Sequence, residues 1–112
     1  MNIETRIVND VLVVDMAGRL DSHTSGEAGD RIVAIVQGEH KRVLLNLAQL
    51  DYVSSAGLHV ILRGARLLQA NHGELKICNA NPRVDNVLET SGFHSLIKVY
   101  ATEATALSAF HT

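Results

Sequence analysis

The stretch Leu50-Asp51-Tyr52-Val53-Ser54-Ser55-Ala56-Gly57-Leu58 decides how this 112-residue chain is read, because an apolar strand ends in it and an amphipathic helix begins. Upstream, Arg42-Val43-Leu44-Leu45-Asn46-Leu47 is a short apolar run of the kind a buried parallel strand shows. Downstream, Leu58, Ile61, Leu62, Ala65 and Leu68 recur at helical spacing, with His59, Arg63, Arg66 and Gln69 on other faces. Between the two lie adjacent hydroxyls, where a helix leaves its first backbone N–H groups unpaired. Either Ser54 or Ser55 can cap that helix. The same place suits a negative group, since a helix N-terminus carries about half a positive charge. A serine here is either a structural cap or a phosphorylation site.

Toward the N-terminus, Ile3 to Val8 and Val11 to Met16 read as strands joined by Asn9-Asp10, a pair that tolerates positive φ and so predicts a hairpin. Gly18-Arg19-Leu20-Asp21 closes the second strand, and Thr24-Ser25-Gly26-Glu27 fits a capping box before a helix with Ala28, Ile32, Ile35 and Val36 on its apolar face. Gly38 is the expected stop of that helix. Toward the C-terminus, the second helix ends near Asn71-His72-Gly73, and Glu74 to Cys78 makes a fourth strand. Asn81-Pro82 opens a third helix with Val84, Val87 and Leu88 inside, stopped by Ser91-Gly92. Leu96 to Tyr100 is a fifth strand and Thr102 to Phe110 a last helix, with Ser108 to Thr112 expected to fray. The order β-β-α-β-α-β-α-β-α predicts a single α/β domain over residues 1–112, with a mostly parallel central sheet and about four helices.

Composition excludes several function classes. Hydrophobic residues make up 46% and charged residues 20%, with a net charge of −2, so neither nucleic acid nor an anionic membrane is the expected partner. There is no basic segment followed by an apolar one at the N-terminus, and no run near the ~20 apolar residues of a membrane span. The single cysteine, Cys78, cannot form an internal disulfide, fits a reducing cytoplasm, and is expected as a buried, inert thiol.

Dedicated chemistry is sparse. The six histidines at 23, 40, 59, 72, 94 and 111 are scattered, so no metal site or other cofactor is expected. No phosphate-cradling glycine loop occurs. Ser55 on a strand-to-helix turn invites comparison with a hydrolase nucleophile elbow, which carries glycine two residues to either side; Val53 and Gly57 occupy those offsets, so half the pattern is missing. His59 would point along the helix rather than across at the hydroxyl, and neither Asp21 nor Asp51 orients a base. No enzyme is expected. Gly57 and Gly64, seven apart, lie on nearly one stripe and predict close helix packing.

Taken together, the hairpin start, Gly-Arg-Leu-Asp at 18–21, Val-Leu-Leu-Asn-Leu at 43–47 and Tyr-Val-Ser-Ser-Ala-Gly-Leu at 52–58 resemble the STAS domain, specifically the small anti-sigma factor antagonists of bacteria. The resemblance spans the whole chain. It implies that Ser55, two residues before Gly57, is phosphorylated by a partner anti-sigma factor that is also a serine/threonine kinase. The commoner motif is Asp-Ser-Ser-Gly-Leu; here Ser54 replaces the Asp and Ala56 the following Ser, and Asn46 stands where Asp is frequent. The resemblance further implies partner switching: the unmodified protein binds the kinase and frees a sigma factor or other client, phosphorylation releases it, and a metal-dependent serine phosphatase resets it. Asp21, Ser22, Thr24, Asp51, Tyr52, Ser54, Ser55, Gly57 and His59 are the expected partner-binding residues. The alternative is a STAS scaffold or accessory subunit of a larger assembly, in which Ser55 is only a cap.

Overall fold

A computed structural model of the chain describes residues 1–110. It contains β1 (Asn2–Val8), β2 (Val11–Leu20), α1 (Ser25–Val36), β3 (Arg42–Val53), α2 (Ser55–Ala70), β4 (Glu74–Cys78), α3 (Pro82–Thr90), a 3-10 turn at Phe93–Ser95, β5 (Lys98–Tyr100) and α4 (Glu103–Phe110). The five strands form one sheet in the order β1-β2-β3-β4-β5. β1 is antiparallel to β2, and every later neighbour pair is parallel. The hairpin turns at Asn9 and Asp10, with φ of 50° and 66°. These are the left-handed values that a two-residue turn matching strand twist requires.

Because each parallel strand is added beside the last, crossovers of one hand lay their helices on one face. There α1, α2 and α3 cover Val14, Met16, Val43, Leu45, Leu47, Leu75 and Ile77, the main core. The opposite face has only α4, whose Ala106 and Phe110 pack on Val11, Val13, Leu44 and Cys78. Burial pushes the Cys78 thiol up to about 12, as expected of an inert core cysteine. The edge strand β1 is partly closed by Arg31, whose Nη2 donates to the Ile3 carbonyl at 3.0 Å.

Two close approaches explain the glycine stripe of α2. A Cβ on Gly64 would lie 2.6 Å from Ile32 Cγ2 of α1. One on Gly57 would lie 2.6 Å from the Leu20 carbonyl oxygen, 2.8 Å from Leu20 Cγ and 2.9 Å from Val53 Cγ2.

The structure departs from the sequence reading in four places. β2 and β3 run on to Leu20 and Val53, carried past two register shifts between Asp15 and Ala17 and between Gly18 and Arg19. β5 begins at Lys98 rather than Leu96, because the amides of Leu96 and Ile97 both donate to the Phe93 carbonyl and close a tight turn first. The capping box at Thr24 does not form: Thr24 is the cap position, but its hydroxyl accepts from the Asp21 amide at 3.0 Å and donates to the Arg19 carbonyl at 2.7 Å. Ser108 belongs to α4, anchored by Phe110, while His111 and Thr112 lie outside the described residues.

α4 is tied down by charge as well as packing. Arg6 on β1 holds Asp15 of β2 through Nε at 2.7 Å and Nη2 at 3.1 Å, and reaches Glu103 of α4 through Nη1 at 3.1 Å. Asn46 Nδ2 donates to Glu103 at 2.9 Å, and Asn46 Oδ1 accepts from the Ala48 amide at 3.0 Å. An aspartate at 46 would set a second carboxylate against Glu103. The amide instead supplies a donor.

Two outcomes follow from this packing. Gly57→Ala should cost about 1–3 kcal/mol in chemical denaturation, because the added methyl meets backbone rather than a yielding side-chain tip. The Arg6 hydrogen bond, followed by that of Asn46, holds the Glu103 carboxyl below its ordinary 4.5, so its stabilisation is present above that value and disappears as pH falls below it. Arg6 is 41% exposed, so screening limits the effect: Glu103→Gln should cost about 1 kcal/mol at pH 7, with the gap to the wild type closing below pH 4.5.

Candidate functional site

β4 pairs with β3 only over Arg42–Asn46, so the ends of β2 and β3 project beyond it as a two-stranded arm. Ligand sites in open α/β sheets gather at such carboxyl ends. Two loops meet there. The Ser54 amide donates to the Leu20 carbonyl at 2.9 Å, tying the start of α2 to the end of β2. Asn81, the cap of α3, also donates through Nδ2 to the Leu50 carbonyl at 3.0 Å, fixing the tip of β3 from the other side.

The structure separates the roles of the two serines. Ser54 is the N-cap, with φ −101° and ψ 178°, and its Oγ accepts from the Gly57 amide at 3.4 Å. Ser54 thus supplies the capping oxygen without the charge that an aspartate would bring. Ser55 is the first residue of the helix and is exposed, and its hydroxyl makes no side-chain hydrogen bond among the described residues. Gly57 is buried beneath them and shapes the surface from below.

In the facing loop, Asp21 is chiefly a turn former. Its carboxylate accepts from the His23 amide at 2.9 Å and the Thr24 amide at 3.3 Å, and pairs with Arg19 Nε at 3.6 Å. Donation from the His23 amide, aided by that of Thr24, lowers the Asp21 carboxyl pKa. Ser22 is exposed on that turn, Asp51 is exposed at the arm, and Tyr52 is half-buried. The Arg19 guanidinium stacks 4.5 Å from the Tyr52 ring centroid. That contact was hidden in the sequence, because Arg19 faces Tyr52 only after the second register shift. His59 lies one turn below Ser55, exposed, in a groove that α2 shares with Ser25, Gly26, Gly29, Asp30 and Val33 of α1.

The nine expected residues thus form one contiguous end of the molecule: a stiff turn at Asp21–Thr24, the arm residues Asp51 and Tyr52, and the start of α2. The arrangement offers an unengaged hydroxyl, at a helix N-terminus, on a preformed surface. Among the described residues no cluster of three or more His, Cys, Asp or Glu gathers there or elsewhere to hold a metal, and no helix is long and apolar enough to cross a membrane.

Known proteins share this architecture and sequence. The STAS domain family matches residues 2–106. The BtrV protein of Bordetella bronchiseptica, named for antagonism of an anti-sigma factor, is 36% identical over 94% of this chain and 90% of its own length. The anti-sigma F factor antagonist of Paenibacillus polymyxa is 33% identical over 96% of this chain and 93% of its own. The solved structure of the anti-sigma factor antagonist SpoIIAA in its unphosphorylated form superposes with a TM-score of 0.78 at 26% identity, covering 98% of this chain and 96% of that one. With the family matched over nearly the whole chain and relatives above 30% identity along their length, the chain belongs to the STAS domain family.

Proposed function

We propose that this protein is an anti-sigma factor antagonist working by partner switching at Ser55. The unmodified end of the molecule binds an anti-sigma serine/threonine kinase in the cytoplasm, phosphorylation of Ser55 releases it, and a metal-dependent serine phosphatase restores the hydroxyl. The protein is the substrate of this cycle and catalyses nothing itself. The observation that carries the reading is the division of labour between the serines: Ser54 caps α2, which leaves the exposed Ser55 hydroxyl free to be esterified without cost to the helix. The names of the relatives, antagonists of anti-sigma factors, support the same reading.

The physics of release needs no refolding. A phosphate brings about −1.5 to −2 charges to a helix start that tolerates an anion. Two unit charges about 4 Å apart repel by about 1 kcal/mol in water and about 4 kcal/mol at the effective dielectric of a partly buried interface. A few kcal/mol is about a 100-fold change in dissociation constant. The partner would meet that charge on a surface already bearing Asp51 and Asp21.

Affinity capture with wild-type, Ser55→Ala, Ser55→Asp and Ser54→Ala baits, read by mass spectrometry, tests this. A kinase-type anti-sigma protein should be kept by the wild type and Ser55→Ala and weakened about tenfold or more by Ser55→Asp, which supplies only one charge. Ser54→Ala should lose about 1 kcal/mol of stability yet retain the partner. Equal capture by all four baits would overturn switching and favour a scaffold role.

A further inference from the structure

Beyond Ser55, α2 presents a basic face. α2 contains no aspartate or glutamate in its 16 residues. Below Ser55 its exposed residues include His59, Arg63 and Arg66, spaced four and three apart on neighbouring turns. Among the described residues none of the three makes a side-chain hydrogen bond or an ion pair, which is also true of Arg42 and Arg83 elsewhere on the molecule. His59 and Arg63 line the groove against α1, where Gly26 leaves open space and Asp30 is the charged residue of α1 in the lining. Leu62 and Leu67 lie between the cations.

We propose that this stripe is the internal receptor for the Ser55 phosphate, with His59 and Arg63 drawing it down along α2 and holding it as the dianion. The proposal rests on modification at Ser55 and specifies what the phosphate then touches. Residues at i and i+4 are neighbours on a helix, about 6 Å apart at Cβ, which sets His59 next to Ser55 and Arg63 next to His59, and an anion N-terminal to a cation is the favourable order. Side chains on a helix also lean toward its N-terminus, which tilts His59 and Arg63 toward Ser55. Asp51 and Asp21, carboxylates of the same end of the molecule, repel the new charge and leave the basic side chains of α2 as its attractive neighbours. Ser54 Oγ already takes the Gly57 amide, which removes one backbone donor from competition for the phosphate.

Two consequences follow. Stabilising the dianion lowers the second ionisation of the phosphate, so the modified protein keeps its full charge as pH falls toward 6. The phosphate also neutralises the cationic face over the eight residues from Ser55 to Arg63, about 12 Å of helix, so its influence extends well beyond the modified oxygen. Asp30 opposes the first effect weakly from α1, and Arg66, a further turn away, supports it.

The test uses protein carrying genetically encoded phosphoserine at 55, with the phosphate titrated by 31P NMR. An ordinary phosphoserine titrates near 6. The midpoint in the wild-type background should lie about half a pH unit or more below that of a His59→Gln/Arg63→Gln variant. Arg66→Gln should move it much less. All are surface changes, and circular dichroism melts establish that each variant is folded. Equal midpoints in wild type and double variant, or an equal shift from Arg66→Gln, would overturn the pairing, the latter by showing only a net-charge effect. Because the phosphoserine is installed during translation, this outcome is independent of whether a cellular kinase acts at Ser55.

Discussion

The carbonyl of Leu20 is where the working end of this molecule is fastened. It accepts the Ser54 amide and also occupies the space in which any side chain at 57 would have to sit. The first contact joins the last residue of β2 to the cap of α2; the second lets the helix descend onto the sheet close enough for Leu58 and Ile61 to reach the core. Without both, the Asp21 turn and the Ser54-Ser55 step would be separate loops. With both, they form a single surface whose geometry is set before any partner arrives, which lowers the ordering cost of association.

That surface is then differentiated by charge rather than by shape. Asp21 spends its carboxylate on its own turn and on Arg19, and Arg19 spends its guanidinium on Asp21 and the face of Tyr52. Among the described residues, the side chains of Ser22, Ser55, Asp51, His59, Arg63 and Arg66 are left without a hydrogen bond or ion pair. Under the switching proposed above, a phosphate on Ser55 would add about two charges to a surface that holds both carboxylates and the basic side chains of α2.

Much of this was legible in the residues. Hairpin chemistry at Asn9-Asp10, the cap at Asn81-Pro82 and the periodicity of α2 are local signals, and they located the elements correctly. The strand-to-helix transition at Ser54-Ser55 was equally plain, but which serine caps depends on where the backbone of Gly57 points, and only the fold fixes that. Strand lengths were harder. The ends of β2 and β3 carry Gly18 and Asp51, poor strand formers that fall at the register shift where the ladder is irregular, Gly18 with a φ of 106°. Arg6, Asp15, Asn46 and Glu103 are unremarkable singly and far apart in the chain. Their meeting over the thinly covered sheet face is a product of topology, and with it comes the reason for an amide at 46.

The strand order, identical to the chain order, also bears on how the molecule assembles. Every strand finds its partner in the segment immediately before it, across a two-residue turn or a single helix, so no pairing has to wait for a distant part of the chain. Loop-closure entropy rises slowly with length, and here each added strand closes only one crossover. The sheet can therefore grow outward, with β2, α1, β3 and α2 completing the Leu20–Ser54 junction before β4 and β5 are needed. For a protein synthesised from its N-terminus, the setting of Ser55 can be completed while the far edge of the sheet is still unmade.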